Sequence, residues 1–168
     1  MLSSTDPANL FALLRDLGGF YECPKDGADR RLGPLVGYAG RYGPNKLQYV
    51  GDVYANCAKL EEYPRRLREV SFYLTSRYAG RLLGAPDVFC GAPEGGKALA
   101  MLLAEIAALR YVYPEKKVTA PATADAREES KLVWARHDGA IRKGDKVVIV
   151  EDVMNNFSTT RELICLIE

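Results

Sequence analysis

The chain has 168 residues, 48% hydrophobic and 27% charged, the profile of a soluble globular protein long enough to bury one sizeable core. Its net charge of +1 supplies no global basic field, so nucleic acid is not expected as a partner and any anion site must be local. No apolar run approaches the roughly 20 residues that span a bilayer, the N-terminus lacks a signal-peptide pattern, and Cys23, Cys57, Cys90 and Cys165 show no C-x-x-C spacing, which fits reduced thiols in a cytoplasmic protein.

In chain order, Asp6-Pro7 reads as a helix start, and Leu10, Leu13, Leu14 and Leu17 follow at helical spacing until Gly18-Gly19. Residues 20–47, rich in Gly and Pro, read as loops and short strands. Leu47 to Val53 has strand character broken by Gly51. A helix is predicted from Tyr63, with Leu67, Val70, Leu74 and Tyr78 on one face. Gly84 closes it and Ala85-Pro86 turns the chain. Asp87 to Cys90 is a short buried strand, "APEGG" a tight loop, and "KALAMLLAEIAALR" an apolar helix. "YVYPEKK" starts as a strand and meets Pro114. Residues 116–140 carry no strong period and read as a long loop or a ribbon, with Trp134 in the second half. "DKVVIVED" is the clearest strand. This alternation of apolar strands and helices predicts an α/β fold with a parallel sheet, without internal repeats.

Ligands of parallel sheets bind where strands turn into helices at their carboxyl ends. Two such turns stand out. In "CGAPEGGKALA", Gly91, Gly95 and Gly96 allow close backbone approach to a ligand in front of a helix N-terminus. An ordinary glycine-rich turn explains the same letters. In "KVVIVEDVMNNFSTTREL", Val147–Val150 delivers Glu151 and Asp152 to the sheet edge. Asn155, Asn156, Ser158, Thr159 and Thr160 then offer hydroxyls, amides and backbone N–H groups that suit a phosphate. Two carboxylates beside them suit sugar hydroxyls or a Mg²⁺ bridging to phosphates. Capping by Asp152 and Ser158 explains one acid and leaves the other abutting a buried strand.

The single histidine, His137, excludes a multi-His metal centre and argues against a His-based triad. His137-Asp138 reads as a turn, with an acid–base pair as the sharper alternative. Tyr38, Tyr42, Tyr49 and Tyr54 either stack on a base or pack a small domain and an interface.

"VVIVEDVMNNFSTT" resembles the phosphoribosyl-pyrophosphate (PRPP) motif of type I phosphoribosyltransferases, closest to the orotate phosphoribosyltransferases. "PDVFCGAPEGGKALAMLLA" resembles their pyrophosphate loop and helix, "RYVYPEKK" their strand with an acidic-basic end, and "YAGRYGPNKLQYVGD" their N-terminal hood. The resemblance implies a type I phosphoribosyltransferase-like domain over residues 1–168, with a hood at about 18–60, a core at about 61–168 and a long mobile loop. It implies transfer of ribose 5-phosphate from PRPP to orotate, giving orotidine 5'-monophosphate and pyrophosphate. Another base, or a non-catalytic PRPP-binding regulator of the same fold, are the alternatives. Carried over by position, Glu151 and Asp152 hold the ribose hydroxyls and steer Mg²⁺, which is otherwise held mainly by substrate. Asn155, Asn156, Phe157, Ser158 and Thr159 cradle the 5-phosphate. Ala92, Glu94, Gly95 and Gly96 line the pyrophosphate, Lys116 supplies positive charge beside it, with Lys117 or Lys131 as the source of further charge, and Arg41 belongs to the hood. The implied partners are PRPP, a pyrimidine base and a second copy of the chain.

Three positions depart from the family pattern. Phe157 stands where Gly is usual, Gly95 where a lysine is frequent (with Lys97 two residues on), and Thr119 where a further lysine is frequent. The family also usually adds a strand after the helix that here reaches Glu168, so an open sheet edge and under-covered Ile164 and Ile167 are expected.

Overall fold

A computed structural model of the chain describes residues 8–43, 45–78, 85–121, 129–137, 139–154 and 157–168, with backbone only at 8, 9 and 39–41. The predicted start at Asp6-Pro7, the stop at Gly84, and Asn155, Asn156 and Asp138 lie outside the described residues. The chain divides into two compact units, the first ending at Tyr63 and the second starting at Pro64.

The first unit begins with α1 (Ala8–Asp16). It stops as the glycines require: Gly18 takes φ +68°, and the Gly19 N–H donates to the Leu14 carbonyl at 2.7 Å. Four short strands follow: β1 (Phe20–Glu22), β2 (Val36–Tyr42), β3 (Gln48–Gly51) and β4 (Val53–Ala55). They form two antiparallel pairs, β1 with β4 and β2 with β3. The predicted single strand Leu47–Val53 is therefore two strands serving different partners. Gly51 is where they part, because a Cβ there would collide with the Tyr38 ring. Beside the break, Asp52 accepts from Lys25 at 3.2 Å and Arg31 at 3.3 Å, and these cations hold its carboxyl below its ordinary range, Arg31 first. The unit closes with α2 (Ala58–Glu61), which buries Leu60.

The second unit opens with α3 (Pro64–Tyr78), burying Leu67, Val70 and Ser71. Its centre is β5 (Val88–Gly91), buried along its whole length because it is apolar on both faces. Then come α4 (Gly96–Ala107), β6 (Arg110–Val112), β7 (Glu115–Ala120), β8 (Glu129–Val133), β9 (Val147–Val150) and α5 (Ser158–Ile167). The sheet is parallel in the order β6-β5-β9, with Val88 opposite both Arg110 and Val147. Phe89 and Val150 pack under Ala100, Leu103 and Ala104 of α4. On the other face Val88, Cys90 and Val112 meet Leu132 and Leu163. Burying each large side chain of this kind contributes roughly 1.5–3 kcal/mol.

Polar staples set the register of β9. Asp87 N–H donates to Lys146 O at 2.9 Å, and Lys146 N–H returns a bond to Asp87 Oδ2 at 2.8 Å. Arg110 donates to the Ala140 carbonyl at 2.8 Å and pairs with Asp145 at 2.7 Å, which draws the 140–145 turn onto β6.

The expected loop or ribbon is a ribbon where it is described: β7 and β8 pair antiparallel, with Lys116 opposite Leu132 and Lys117 opposite Lys131. Its second strand is anchored by α5. Leu132 N–H donates to Glu162 at 2.7 Å, and the Trp134 indole donates to the Leu166 carbonyl at 3.2 Å. This anchoring also revises the expected exposure of the last helix: Ile167 packs on the core, and only Ile164 stays exposed. Among the described residues β9 pairs with β5 alone, and no helix is long and apolar enough to cross a membrane.

Candidate active site

The carboxyl ends of β5 and β9 are neighbours in one parallel sheet, so the two unusual turns meet. Their backbones are tied: Ala92 N–H donates to Val150 O at 2.8 Å, and Gly96 N–H donates to Ala92 O at 2.9 Å. The Pro93–Glu94 peptide between them is cis. The glycines serve this junction. A Cβ on Gly96 would strike the Val150 carbonyl, one on Gly95 would strike the Asp152 carboxylate, and one on Gly91 would lie 2.8 Å from Lys97 Cα. A side chain at any of the three would meet the chain's own atoms, because α4 starts within contact distance of the end of β9.

The two acids diverge from adjacent positions, as successive residues at a strand end do. Asp152 turns toward Gly95 in the first turn. Glu151 turns toward α5, where the Thr160 hydroxyl donates to its Oε2 at 2.6 Å. Both acids are half-buried. Glu151 and Thr160 also border a groove of about 570 Å³ beside β9 that is otherwise mostly apolar, with Leu74, Phe89, Leu103 and Val148 in its wall.

The second turn reaches α5 through Phe157, which takes φ +59° and ψ +19° and is 51% exposed as a residue. Phenylalanine thus occupies the left-handed conformation for which glycine is the usual residue, and its ring faces solvent rather than the core. Ser158 and Thr159 form the first turn of α5.

The remaining expected site residues spread out. Ala92 is buried, Glu94 is exposed, and Lys116 and Lys117 are exposed on β7. Arg41 lies in β2 of the first unit, and its side chain is outside the described residues. Sequence reasoning missed a cluster around Lys97. Its ammonium pairs with Glu94 at 2.7 Å and sits 4.8 Å from the centre of the Tyr113 ring, against which His137 packs edge-on at 4.6 Å. The Glu94-x-x-Lys97 spacing was a readable signal. Tyr113 and His137 share no local pattern, and only the fold brings them together. Cys90 is no nucleophile here: burial pushes its thiol up to about 12. Tyr111 is also pushed up to about 12, first by burial and then by Tyr113 and Cys90.

Among the described residues no group of three His, Cys, Asp or Glu side chains could enclose a metal ion. The donor set present, two diverging carboxylates, fits a Mg²⁺ held mostly by phosphate oxygens and water rather than an all-protein cage.

No family model matches the chain. It is 28% identical over 116 residues to the orotate phosphoribosyltransferase of Caldanaerobacter subterraneus subsp. tengcongensis, covering 69% of this chain and 53% of that protein. It is 30% identical over 116 residues, with the same coverage, to the orotate phosphoribosyltransferase of a Thermoanaerobacter species. The chain thus spans about half the length of the curated relatives it matches. Among solved structures, the orotate phosphoribosyltransferase of Aeropyrum pernix superposes with a TM-score of 0.57 at 17% identity, over 94% of this chain and 72% of the other. The adenine phosphoribosyltransferase of Trypanosoma brucei gives 0.56 at 17% identity, over 99% of this chain and 64% of the other. The parallel β6-β5-β9 sheet with its two edge turns is therefore that of the type I phosphoribosyltransferase fold, in a chain similar in sequence to the orotate phosphoribosyltransferases.

Proposed function

We propose that the chain binds PRPP across the two turns and transfers its ribose 5-phosphate to orotate, giving orotidine 5'-monophosphate and pyrophosphate. The observation that carries this reading is the junction at the sheet edge: Asp152 held against Gly95 on one side and Glu151 tied to α5 on the other. A phosphorylated sugar set over that junction has acids at its ring hydroxyls. Its 5-phosphate meets the start of α5, and its pyrophosphate meets the loop that starts α4.

In the reaction a ring nitrogen of the base bonds to ribose C1 while the C1–O bond to pyrophosphate breaks. The bonding electrons leave with pyrophosphate, and the nitrogen's proton is released. Positive charge grows on the ribose and negative charge on the leaving group. Glu151 and Asp152 stabilise the first. Lys116 and Lys117 of β7 stabilise the second. Mg²⁺ bound with the substrate supplies further charge neutralisation on the pyrophosphate. A second copy of the chain and a cytoplasmic setting belong to the same reading.

The test is loss of orotate absorbance in the presence of PRPP and Mg²⁺. Turnover is expected, and Asp152→Asn should lower kcat by about a hundredfold or more, the scale of removing one preorganised charged group. A second reading, a PRPP-binding regulator without turnover, is favoured by the exposed Phe157 at the phosphate turn. Calorimetric binding of PRPP with no consumption of orotate, adenine or uracil would select it. Absence of PRPP binding would overturn both.

A further inference from the structure

We infer that Thr160 is a positioning residue for Glu151, fixing its carboxylate before substrate arrives; this rests on the proposed PRPP site. The hydrogen bond from Thr160 Oγ1 to Glu151 Oε2 is 2.6 Å long, in the range of charge-assisted O–H···O⁻ bonds. The two residues come from different elements. Glu151 leaves the end of β9, and Thr160 lies in the first turn of α5, so the bond ties the strand end to the start of the helix.

The chemistry of the pair is asymmetric. Glutamate has three rotatable side-chain bonds, and holding it in one rotamer on ligand binding costs part of the affinity. Threonine is β-branched, so a helical threonine has few χ1 states to lose when its hydroxyl engages a partner. A threonine within a helix commonly turns its hydroxyl back to a carbonyl of the preceding turn. Here it is spent on a carboxylate instead. The bond engages Oε2 and leaves Oε1 to accept from a ribose hydroxyl. It also keeps Glu151 from swinging along the apolar groove that both residues border. Thr160 touches no substrate in this scheme; it acts through Glu151.

The experiment compares Thr160→Val, which keeps the shape and deletes the donor, with Thr160→Ser, which keeps the donor. In the wild-type protein PRPP binding is measured by calorimetry, and KM and kcat with orotate as acceptor. Thr160→Val should weaken PRPP binding and raise its KM by about tenfold, the scale of re-immobilising one long side chain, with a smaller change in kcat. Thr160→Ser should stay within about threefold of wild type. In a Glu151→Ala background, where the acceptor is gone, Thr160→Val should add little to the loss of PRPP binding, since residues acting as a unit are not additive. The Glu151 carboxylate carbon, followed by NMR in the unliganded protein, should shift in Thr160→Val and hold in Thr160→Ser. Equal PRPP affinity in Thr160→Val and wild type overturns the assignment alone. So does a Thr160→Ser as impaired as Thr160→Val, or full additivity with Glu151→Ala. A wild-type protein that binds no PRPP overturns the functional reading first and this assignment with it.

Discussion

The two turns at the sheet edge solve the same problem by opposite means. After β5 the chain is compressed: Gly95 and Gly96 have no side chains because Asp152 and the Val150 carbonyl occupy the space, and Ala92 is buried. After β9 the chain is open: Phe157 holds a left-handed backbone with its ring in solvent, and the geometry depends on side-chain bonds such as Thr160 to Glu151. The first turn is tightly packed and leaves little room for a side chain at its glycines. The second is less constrained by packing at Phe157.

Substitutions can break that contrast or sharpen it. The largest stability effect is expected from Gly96→Ala, where the new methyl meets backbone that cannot rotate away. It should cost about 1–3 kcal/mol, seen as a fall in Tm of roughly 3–10 °C. An unchanged Tm would show that the first turn is not compressed. Gly95→Ala meets a side chain instead, so displacement of Asp152 should absorb most of the strain. Turnover should fall by about tenfold or more while Tm moves less than in Gly96→Ala.

The open turn should behave in the other direction. Phe157→Gly removes a left-handed strain of about 1–2 kcal/mol and adds unfolded-state entropy of about 0.5–1 kcal/mol. A small net gain in Tm is expected, together with PRPP affinity at least equal to wild type. A loss in both would mean that the exposed ring is a ligand contact. The smallest effect concerns neither turn and serves as a control on the sheet that joins them. Arg110 holds the Asp145 carboxyl below its ordinary value of 3.8, helped by the Arg142 N–H. A lowered folded value means that this contribution is full above 3.8 and is lost as pH falls from there through the folded value. Asp145→Asn should therefore flatten the acid limb of a Tm–pH curve and leave the relative order of the turn variants at neutral pH unchanged.

Much of this architecture is legible in the letters. The apolar runs at 88–91 and 147–150, the helical spacing at 64–78 and the alanine-leucine helix after Gly96 all specify their elements locally, because burial on both faces or on one stripe leaves a periodic signature. The acids at the end of β9 and the polar turn behind them are equally visible. The partition of Leu47–Val53 into two strands is not, since Gly51 marks a break without saying that Tyr38 will fill the space beside it. The ribbon is visible only as one of two alternatives with a loop: its second strand owes its place to Glu162 and Leu166 of a helix some thirty residues later.

By itself, then, the sequence determined the central apolar strands and the helices beside them, that these strands form a buried parallel sheet, and that two carboxylates and a polar turn stand at the end of one of them. Only the tertiary structure decided that the glycines make room for Asp152 and Val150, that Glu151 is held by Thr160, and that Lys97, Tyr113 and His137 form one cluster. The physical reason is range. Periodicity and propensity act between residues a few positions apart, whereas close approach and side-chain pairing depend on which strand ends the sheet sets side by side.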